Sequence, residues 1–436
     1  MTKRRPIRGN HRRTPGVTEE RELEITKLGS EGVGVAYAGG KPILVPGTLP
    51  GERIVAAVTE GAREARLVRV VAASPERVAP SCRHFGRCGG CALQHLEPGA
   101  YLQFKRNLIA DALRRQGLPD VEIAEIAVSP PGSRRRASLE ALRLGSKLTL
   151  GFHGRSAHTL VDVQECPVLE PALVAVLSPT RQILPSFLKS GERATVVLAL
   201  FDRGVDIGLV LPREPDLAGL EALSTFAEAQ DLCRLWWRVG SAPAVPAAIR
   251  RAPTILLGGL AVTAPMGGFV QATRAGEVAL VSEVMRALAG ASVVADLFAG
   301  MGTFSLPLAV AGKQVHAVEA DTAAVAALSA AGHAARLTGL TTERRDLDAR
   351  PLLETELKRF DAVVFDPPRA GARAQAELVA HADVGTVVAV SCNPATYARD
   401  ASILVAGGWR HDRITPIDQF LWSSHIELVG VFSRGS

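Results

Sequence analysis

Short apolar runs broken by glycine characterise the part of the chain that follows a basic start. Each run has the length of one β-strand, and the turn-forming pairs Gly39-Gly40 and Pro46-Gly47 lie between runs. The runs span residues 23–28, 32–37, 42–45, 53–59 and 65–71. Five such strands predict a small barrel of the OB type, which either binds an oligonucleotide or serves as an adaptor without a ligand.

The middle of the chain has a weaker pattern. Residues 101–116 carry apolar side chains on one broad face and predict a helix. From residue 121 to about residue 258 the pattern indicates mixed α+β structure, in which residues 143–151 and 196–211 each predict a strand.

From Gly259 onward, apolar strands alternate with alanine-rich helices. The pattern predicts strands at residues 293–298, 314–320, 362–365 and 386–391, and helices at residues 304–311, 322–331 and 375–381. Alternation of this kind predicts an α/β fold with a parallel, doubly wound sheet.

Each of these four strands ends in residues that can carry chemistry. Phe298 ends the first strand and Glu319 the second, while Asp366 and Cys392 directly follow the third and the fourth. Ligands of open α/β sheets bind outside the carboxyl ends of the strands. We therefore expect the four strand ends to form one crevice.

The loop after the first strand predicts a nucleoside site. It reads DLFAGMGT at residues 296–303, where Gly300 and Gly302 permit a tight turn and the close approach of a ligand. Glu319 can accept hydrogen bonds from both ribose hydroxyls of an adenosine. Ser305 stands where a dinucleotide fingerprint requires a third glycine, which favours a phosphate-free nucleoside such as S-adenosylmethionine. The alternative is a glycine turn that only packs a helix.

Four segments, taken in order, resemble the RNA uracil-5-methyltransferase family. They are Gly300-Met301-Gly302, Glu319, DPPRAG at residues 366–371 and SCNP at residues 391–394. The upstream Phe269-Val270-Gln271 is similar to a segment that contacts the methyl donor in that family. The resemblance covers nearly the whole chain, and it implies methylation of carbon 5 of a uridine in RNA with S-adenosylmethionine as the methyl donor.

The resemblance also implies roles for individual residues. Six of them would bind S-adenosylmethionine: Gln271, Phe298, Thr303, Glu319, Asp346 and Asp366. Cys392 would be the nucleophile, because a thiolate that adds to carbon 6 of uracil makes carbon 5 nucleophilic. Glu427 would be the general base, although residues 420–423 read FLWS where the family has a Phe-Pro stretch. The alternatives are a buried small apolar side chain for Cys392 and a solvent-facing acid for Glu427.

Five of the six cysteines lie outside the nucleophile position. Cys82, Cys88 and Cys91 form a tight trio, and Cys166 could supply a fourth thiolate to a tetrahedral zinc ion or a [4Fe–4S] cluster. Spacing does not distinguish the two, whereas the family resemblance implies the [4Fe–4S] cluster. Cys233 lies in an apolar run and is predicted to be a core residue.

The charge of the chain is compatible with a polyanionic partner. Lysine and arginine exceed the acids by six, and the excess is clustered at residues 1–13 and at Arg134-Arg135-Arg136. We expect RNA as the partner, with ribosomal RNA favoured over transfer RNA because of the barrel and the cysteine cluster. No apolar run is long enough to span a membrane, so we expect a cytoplasmic monomer.

Together these features predict four regions. Residues 1–19 form a basic disordered tail, and residues 20–74 an OB-like (TRAM) β-barrel. Residues 75–258 form a central α+β iron–sulfur domain, of which the segment 97–120 packs on the catalytic domain. Residues 259–436 form a Rossmann-like doubly wound methyltransferase domain.

Other functions remain open from the residues alone. An aromatic residue after Asp-Pro-Pro would indicate amino-group methylation, but Arg369 occupies that place. A cytosine-5 enzyme would have a cysteine directly after a proline in the Asp-Pro motif, which is absent here. A non-catalytic RNA-binding protein or chaperone and a redox protein built on the cysteine cluster are the alternatives from other classes.

Overall fold

The computed structural model describes residues 18–118, 121–155 and 159–434 in two compact units. The first unit extends to Ala79 and includes His95–Glu97, and the second comprises Pro80–Gln94 and the chain from Pro98 onward. Residues 1–17, which hold most of the predicted basic tail, lie outside the described residues, and the first strand begins at Thr18.

The first unit is a small all-β structure. Its strands are β1 (Thr18–Glu24), β2 (Lys27–Leu28), β3 (Gly34–Ala38), β4 (Lys41–Val45), β5 (Arg53–Thr59) and β6 (Arg66–Ala72). They form two antiparallel sheets, β1-β5-β6 and β2-β3-β4, which share one apolar core. The prediction of a single strand at residues 23–28 is wrong. The chain changes sheets there, since the Ile25 N–H donates to Glu52 and the Thr26 N–H donates to Val35.

The central part of the second unit is a seven-stranded sheet of order β10-β9-β8-β11-β12-β13-β14, which is antiparallel except between β12 and β13. Its strands are β8 (Arg136–Leu144), β9 (Lys147–His153), β10 (Leu160–Asp162), β11 (Arg193–Phe201), β12 (Gly204–Leu211), β13 (Arg234–Val239) and β14 (Val245–Ile249). The helices of this part are α2 (Pro171–Ala175), α3 (Leu177–Ile183), a short 3-10 helix (Leu184–Ser186) and α4 (Leu217–Ala229).

Two predicted single strands in this part are hairpins, so both predictions are wrong. The run 143–151 contains the end of β8 and most of β9, and the chain reverses at Gly145, whose φ is +59°. The run 196–211 contains most of β11 and all of β12, and Gly204 follows the turn with a φ of +127°. A short polar turn that interrupts two apolar runs leaves little trace in the periodicity, whereas the positive φ favours glycine.

The last part of the second unit contains an eight-stranded sheet of order β19-β18-β17-β20-β21-β23-β22-β7. Its strands are β7 (Ala127–Val128), β17 (Val293–Leu297), β18 (Gln314–Glu319), β19 (Leu340–Arg344), β20 (Ala362–Phe365), β21 (Thr386–Ser391), β22 (Arg410–Asp418) and β23 (Glu427–Ser433). The strands from β19 to β21 are parallel, and β23 is antiparallel to both β21 and β22. The predicted doubly wound parallel sheet is therefore confirmed.

Helices and a hairpin complete this part. They are α5 (Arg274–Ala287), α6 (Ser305–Val310), α7 (Thr322–Ala334), α8 (Glu354–Leu357), α9 (Arg373–Val379), α10 (Pro394–Ala406) and the hairpin β15 (Thr254–Leu257) with β16 (Leu260–Thr263). Helix α1 (Pro98–Arg115) contributes Ile109 and Leu113 to the core that also holds Phe365 and Tyr397. None of the helices in the described ranges has the length and apolar character needed to span a lipid bilayer.

Candidate functional site

The two predicted catalytic residues, Cys392 and Glu427, and the predicted donor-binding residue Asp366 lie at one edge of the eight-stranded sheet. Cys392 directly follows β21, and Asp366 directly follows the neighbouring parallel strand β20. Glu427 begins β23, and because β23 runs antiparallel to β21, the pairing of Ser391 with Leu428 brings its beginning beside the end of β21. Strand order and direction thus place all three side chains at the same crevice.

A chain of hydrogen bonds connects three of the predicted residues, Asp366, Gln271 and Glu427, through Gln419, which was not predicted. Gln271 Nε2 donates to Asp366 Oδ2 at 3.3 Å. Gln419 Nε2 donates to Gln271 Oε1 and to Glu427 Oε2, both at 2.8 Å. Nothing in the sequence indicated Gln419, which follows β22 and has no motif of its own.

Enclosure by protein disfavours ionisation at this site. Desolvation raises the pKa of Asp366 and of Glu427, and the mutual repulsion of the two carboxylates raises the pKa of Glu427 further. Desolvation, followed by the charges of Glu427 and Asp366, raises the pKa of the Cys392 thiol to about 11. The Cys392 side chain is therefore a thiol at neutral pH until a ligand or a proton acceptor changes its surroundings.

Arg136 brings a positive charge to the crevice. Its guanidinium lies 4.2 Å from the ring centroid of Phe269, and its buried Nε has no hydrogen-bond partner within the described part of the chain. Desolvation lowers its pKa to about 10, while the charges of Glu427 and Cys392 act in the opposite direction. The sequence indicated Arg136 only as part of a basic triplet, and the fold brings it close enough to Cys392 and Glu427 for their charges to act on it.

The glycine loop after β17 forms a turn of unusual backbone conformation. Gly300 and Gly302 have φ values of +55° and +97°, and the non-glycine Phe298 has a φ of +62°. Glu319 accepts hydrogen bonds from the backbone N–H groups of Gly300 at 2.9 Å and Ala320 at 2.7 Å. A non-glycine residue held at positive φ is a feature of ligand-binding turns.

Asp296 lies completely buried beneath this loop. Its Oδ2 accepts a hydrogen bond from the Ser305 hydroxyl at 2.5 Å, and its Oδ1 has no hydrogen-bond partner among the residues that the structure describes. Desolvation raises its pKa to about 7, and the charges of Asp366 and Glu319 add to the effect. Three carboxyl groups, those of Asp296, Asp366 and Glu319, thus lie close together at the glycine loop, and a cationic ligand would favour their ionised forms.

The two remaining predicted donor-binding residues lie at the same sheet edge. Thr303 is half-buried in the loop after Gly302, and Asp346 is exposed shortly after the end of β19. The Asp346 carboxylate accepts hydrogen bonds from the backbone of Asp348 and Ala349, at 3.0 and 3.3 Å, and so caps its own turn.

The four predicted cluster cysteines line one cavity of about 450 Å³ in the second unit. Within the described ranges, no group of three or more His, Cys, Asp or Glu side chains is arranged to hold a metal ion. Desolvation raises the pKa of Cys88 and of Cys166, and that of Cys91 to about 12. Arg134 also lines the cavity, and Cys233 lies elsewhere as a completely buried core residue, as predicted.

Comparison with known proteins gives consistent matches over the chain. Residues 266–434 match the tRNA (uracil-5-)-methyltransferase family, and residues 16–65 match the TRAM domain. The sequence is 42% identical to an uncharacterized RNA methyltransferase of Rhizobium meliloti, with 94% of this chain and 99% of that relative covered. It is 38% identical to the 23S rRNA (uracil(1939)-C(5))-methyltransferase of Halomonas elongata, with 98% and 95% covered.

One solved structure is similar over almost the entire chain. The crystal structure of Pyrococcus abyssi tRNA (uracil-54, C5)-methyltransferase in complex with S-adenosyl-L-homocysteine superposes with a TM-score of 0.74. The two sequences are 25% identical, and the match covers 94% of this chain and 99% of that one.

Proposed function

The chain belongs to the RNA uracil-5-methyltransferase family, and on this premise we propose that it methylates carbon 5 of a uridine in ribosomal RNA. The observation that carries the proposal is the placement of a thiol and a carboxyl group at adjoining strand ends. Cys392 and Glu427 lie beside each other there, and hydrogen bonds link Glu427 through Gln419 and Gln271 to Asp366.

The residues around the glycine loop fit S-adenosylmethionine. When bound, S-adenosylmethionine supplies an electrophilic methyl group on a positively charged sulfur. Asp296, Glu319 and Asp366 make this part of the crevice acidic, and the unpartnered Oδ1 of Asp296 is a buried acceptor for a cation or a donor. We assign Gln271, Phe298, Thr303, Glu319, Asp346 and Asp366 to the binding of this donor.

The chemical steps follow from the nucleophile and the base. The Cys392 thiolate adds to carbon 6 of uracil, and the electron pair of the ring double bond moves to the carbonyl oxygen as an enolate. The enolate electrons then form a bond from carbon 5 to the methyl carbon, the bond from that carbon to the sulfonium sulfur breaks, and S-adenosylhomocysteine is the leaving group. Carbon 5 is now tetrahedral and carries both the methyl group and its hydrogen. The Glu427 carboxylate removes the hydrogen from carbon 5, the ring double bond forms again, and the bond from carbon 6 to sulfur breaks to release the thiolate.

Binding must prepare both the base and the nucleophile. The target uridine has to leave its stack before its carbon 6 can reach the Cys392 sulfur. Because the pKa of Cys392 is raised to about 11, addition requires loss of the thiol proton to a nearby acceptor. Arg136 lies close enough to act on the charges of both Cys392 and Glu427, so it favours their ionised forms.

We also assign a [4Fe–4S] cluster to Cys82, Cys88, Cys91 and Cys166. The proposal is supported by four thiols that line one cavity, since a [4Fe–4S] cluster takes four cysteine ligands. The nearby cation Arg134 would offset the negative charge of four thiolates. The N–H groups of Ala92 and Leu93 donate to Trp422 O in the loop before Glu427, which supports a structural role for this segment.

Sequence similarity supports ribosomal RNA as the substrate. The ribosomal RNA enzyme of Halomonas elongata is 38% identical to this chain, whereas the transfer RNA enzyme of Pyrococcus abyssi is 25% identical. The similarity to the Pyrococcus abyssi enzyme makes transfer RNA the second candidate substrate. A labelled methyl donor and total RNA from a deletion strain distinguish the two, because we expect 5-methyluridine at one position of ribosomal RNA. Label confined to transfer RNA would contradict the choice of substrate.

A covalent trap tests the mechanism. We expect RNA that carries 5-fluorouridine to form a stable adduct with the unaltered enzyme in the presence of the donor, because Glu427 cannot remove fluorine. Cys392→Ala should form no adduct and lose methyl transfer at least ~1,000-fold, while it still binds RNA. If the unaltered protein methylates no RNA at all, the chain is a binding protein or chaperone.

A further inference from the structure

Gln419 occupies a central and fully satisfied position in the crevice. It follows β22 directly and is 2% exposed. Its Nε2 donates one hydrogen to Glu427 Oε2 and one to Gln271 Oε1, and its Oε1 accepts from the backbone N–H of Ala272 at 2.9 Å. Every hydrogen-bonding group near the end of this side chain therefore has a defined partner.

The orientation of the Gln419 amide follows from its partners. A backbone N–H can only donate, so the amide oxygen must face Ala272. The NH2 group is then left to face Glu427, where it meets an acceptor. A glutamine in this environment cannot rotate its amide by half a turn without placing two donors together and two acceptors together.

The same segment is also held from outside the crevice, through the side chain of the residue before Gln419. The preceding Asp418 accepts hydrogen bonds from the Tyr101 hydroxyl at 2.5 Å and from Lys105 Nζ at 2.7 Å. On the other side, a Cβ atom at Gly276 would lie 2.8 Å from the Cβ of Gln419, so the helix α5 approaches closely only because residue 276 is glycine. Gln419 thus has little room to move.

We propose that Gln419 is a positioning residue for the general base. It holds the Glu427 carboxylate in one rotamer, stabilises the ionised form through a donated hydrogen bond, and couples the base to the donor-binding Gln271. This role rests on the proposed function of Glu427. It deepens the proposed reaction, because it explains how a buried carboxyl group can serve as a base.

The charges around Glu427 determine the expected direction of the effect. Asp366 raises the pKa of Glu427, whereas the hydrogen bond from Gln419 and the charge of Arg136 lower it. The Cys392 thiol also faces the Glu427 carboxylate. Removing the donor of Gln419 therefore raises the pKa of Glu427 further. Glu427 must be ionised to remove a proton, so the acidic limb of the pH–rate profile should move to higher pH.

The experiment compares Gln419→Met with the unaltered full-length enzyme at saturating donor. RNA with tritium at carbon 5 of the target uridine reports proton removal by tritium release, and a denaturing gel reports the Cys392–RNA adduct. We expect the adduct to form and accumulate in Gln419→Met, with tritium release slowed roughly tenfold at neutral pH. The acidic limb should shift upward by about one pH unit.

Two further variants make the result decisive. Gln375→Met is the matched control, because Gln375 is equally buried and its amide bonds the backbone of Leu352 instead of the base. It should lower thermal stability and leave the pH profile unchanged. Gly276→Ala leaves the Gln419 side chain unchanged but displaces it, so this variant should shift the acidic limb of the pH–rate profile in the same direction. It tests the positioning role if Gln419→Met does not fold.

The possible failures are distinguishable. If Gln419→Met and Gly276→Ala release tritium with the pH profile of the unaltered enzyme, the positioning role is wrong and the proposed function stands. The role is also wrong if Gln375→Met shifts the limb as much as Gln419→Met does. If the unaltered enzyme releases no tritium and forms no adduct, the proposed function itself is wrong.

Discussion

At the scale of single residues, the crevice holds carboxyl groups that are poorly hydrated and receive hydrogen bonds from neutral side chains. Asp296 is bonded by Ser305, Asp366 by Gln271, and Glu427 by Gln419. Desolvation raises the pKa of all three, to about 7 in the case of Asp296. Close to neutral pH, this part of the protein therefore carries protons that an ordinary carboxylate would have lost.

Because these carboxyl groups are partly protonated near neutral pH, two ligands of similar shape but different charge should release different numbers of protons when they bind. S-adenosylmethionine has a positive sulfonium, which lowers the pKa of nearby carboxyl groups, whereas S-adenosylhomocysteine has a neutral thioether. We expect the former to release more protons on binding near pH 7, and the difference to vanish at high pH where the carboxyl groups are already ionised. Calorimetry in buffers of different ionisation enthalpy measures this. Equal proton release by both ligands would contradict the expectation.

At the scale of elements, helix α1 and the end of β22 are joined by a buried ion pair. The Lys105 and Asp418 side chains are both 0% exposed, and Nζ lies 2.7 Å from Oδ1. Lys105 Nζ also donates to the carbonyl of His425, in the loop that leads to Glu427. Helix α1, more than 300 positions before this loop in the sequence, thus holds the chain at Asp418 and at His425, on both sides of the loop.

Lys105→Met should be strongly destabilising, because it leaves the Asp418 carboxylate buried without its cation. We expect a loss of about 3–5 kcal/mol in the free energy of unfolding, measured by urea denaturation. Arg373→Met is the control, since the exposed pair of Arg373 with Glu377 should contribute about 0–1 kcal/mol. A loss in Lys105→Met no larger than that in the control would show that the pair does not hold this segment.

At the scale of the whole molecule, the cysteine cavity joins segments that are far apart in the chain. Cys82, Cys88 and Cys91 come from the segment before α1, and Cys166 comes from the segment between β10 and α2. No single helix or strand holds all four thiols. A bound cluster would therefore tie these segments together, in addition to the contacts of Arg83 with Gln164 and Glu165.

We expect the protein purified without oxygen to contain about four irons and four sulfides per chain. Cys88→Ser should lose most of this iron, because a hydroxyl is a poor ligand for it. Cys233→Ser provides the control, since Cys233 is buried outside the cavity and should keep the full iron content. One zinc ion per chain, or an unchanged iron content in Cys88→Ser, would overturn the assignment.

The sequence by itself determined the class of the fold and the part of it that carries chemistry. The carboxyl ends of parallel strands share one edge, so finding Glu319, Asp366 and Cys392 at successive strand ends predicted their common crevice. The hydrophobic pattern predicts a single strand where the structure has a hairpin at Gly145 and another at Gly204, because a short turn between two apolar runs does not interrupt the pattern.

Only the tertiary structure decided which residues complete the site. Gln419 belongs to no motif, and Arg136 only to a basic triplet that does not indicate this site. Gln419 reaches the crevice because β22 ends beside β23, and Arg136 because β8 begins beside the segment that holds Gln271. Each has a contact with a residue more than a hundred positions away, Gln419 through its hydrogen bond to Gln271 and Arg136 through its contact with the ring of Phe269. The pattern of apolar and polar residues in a segment indicates its preferred secondary structure. The hydrogen-bond partners of a buried polar group depend instead on which other segments the fold packs against it.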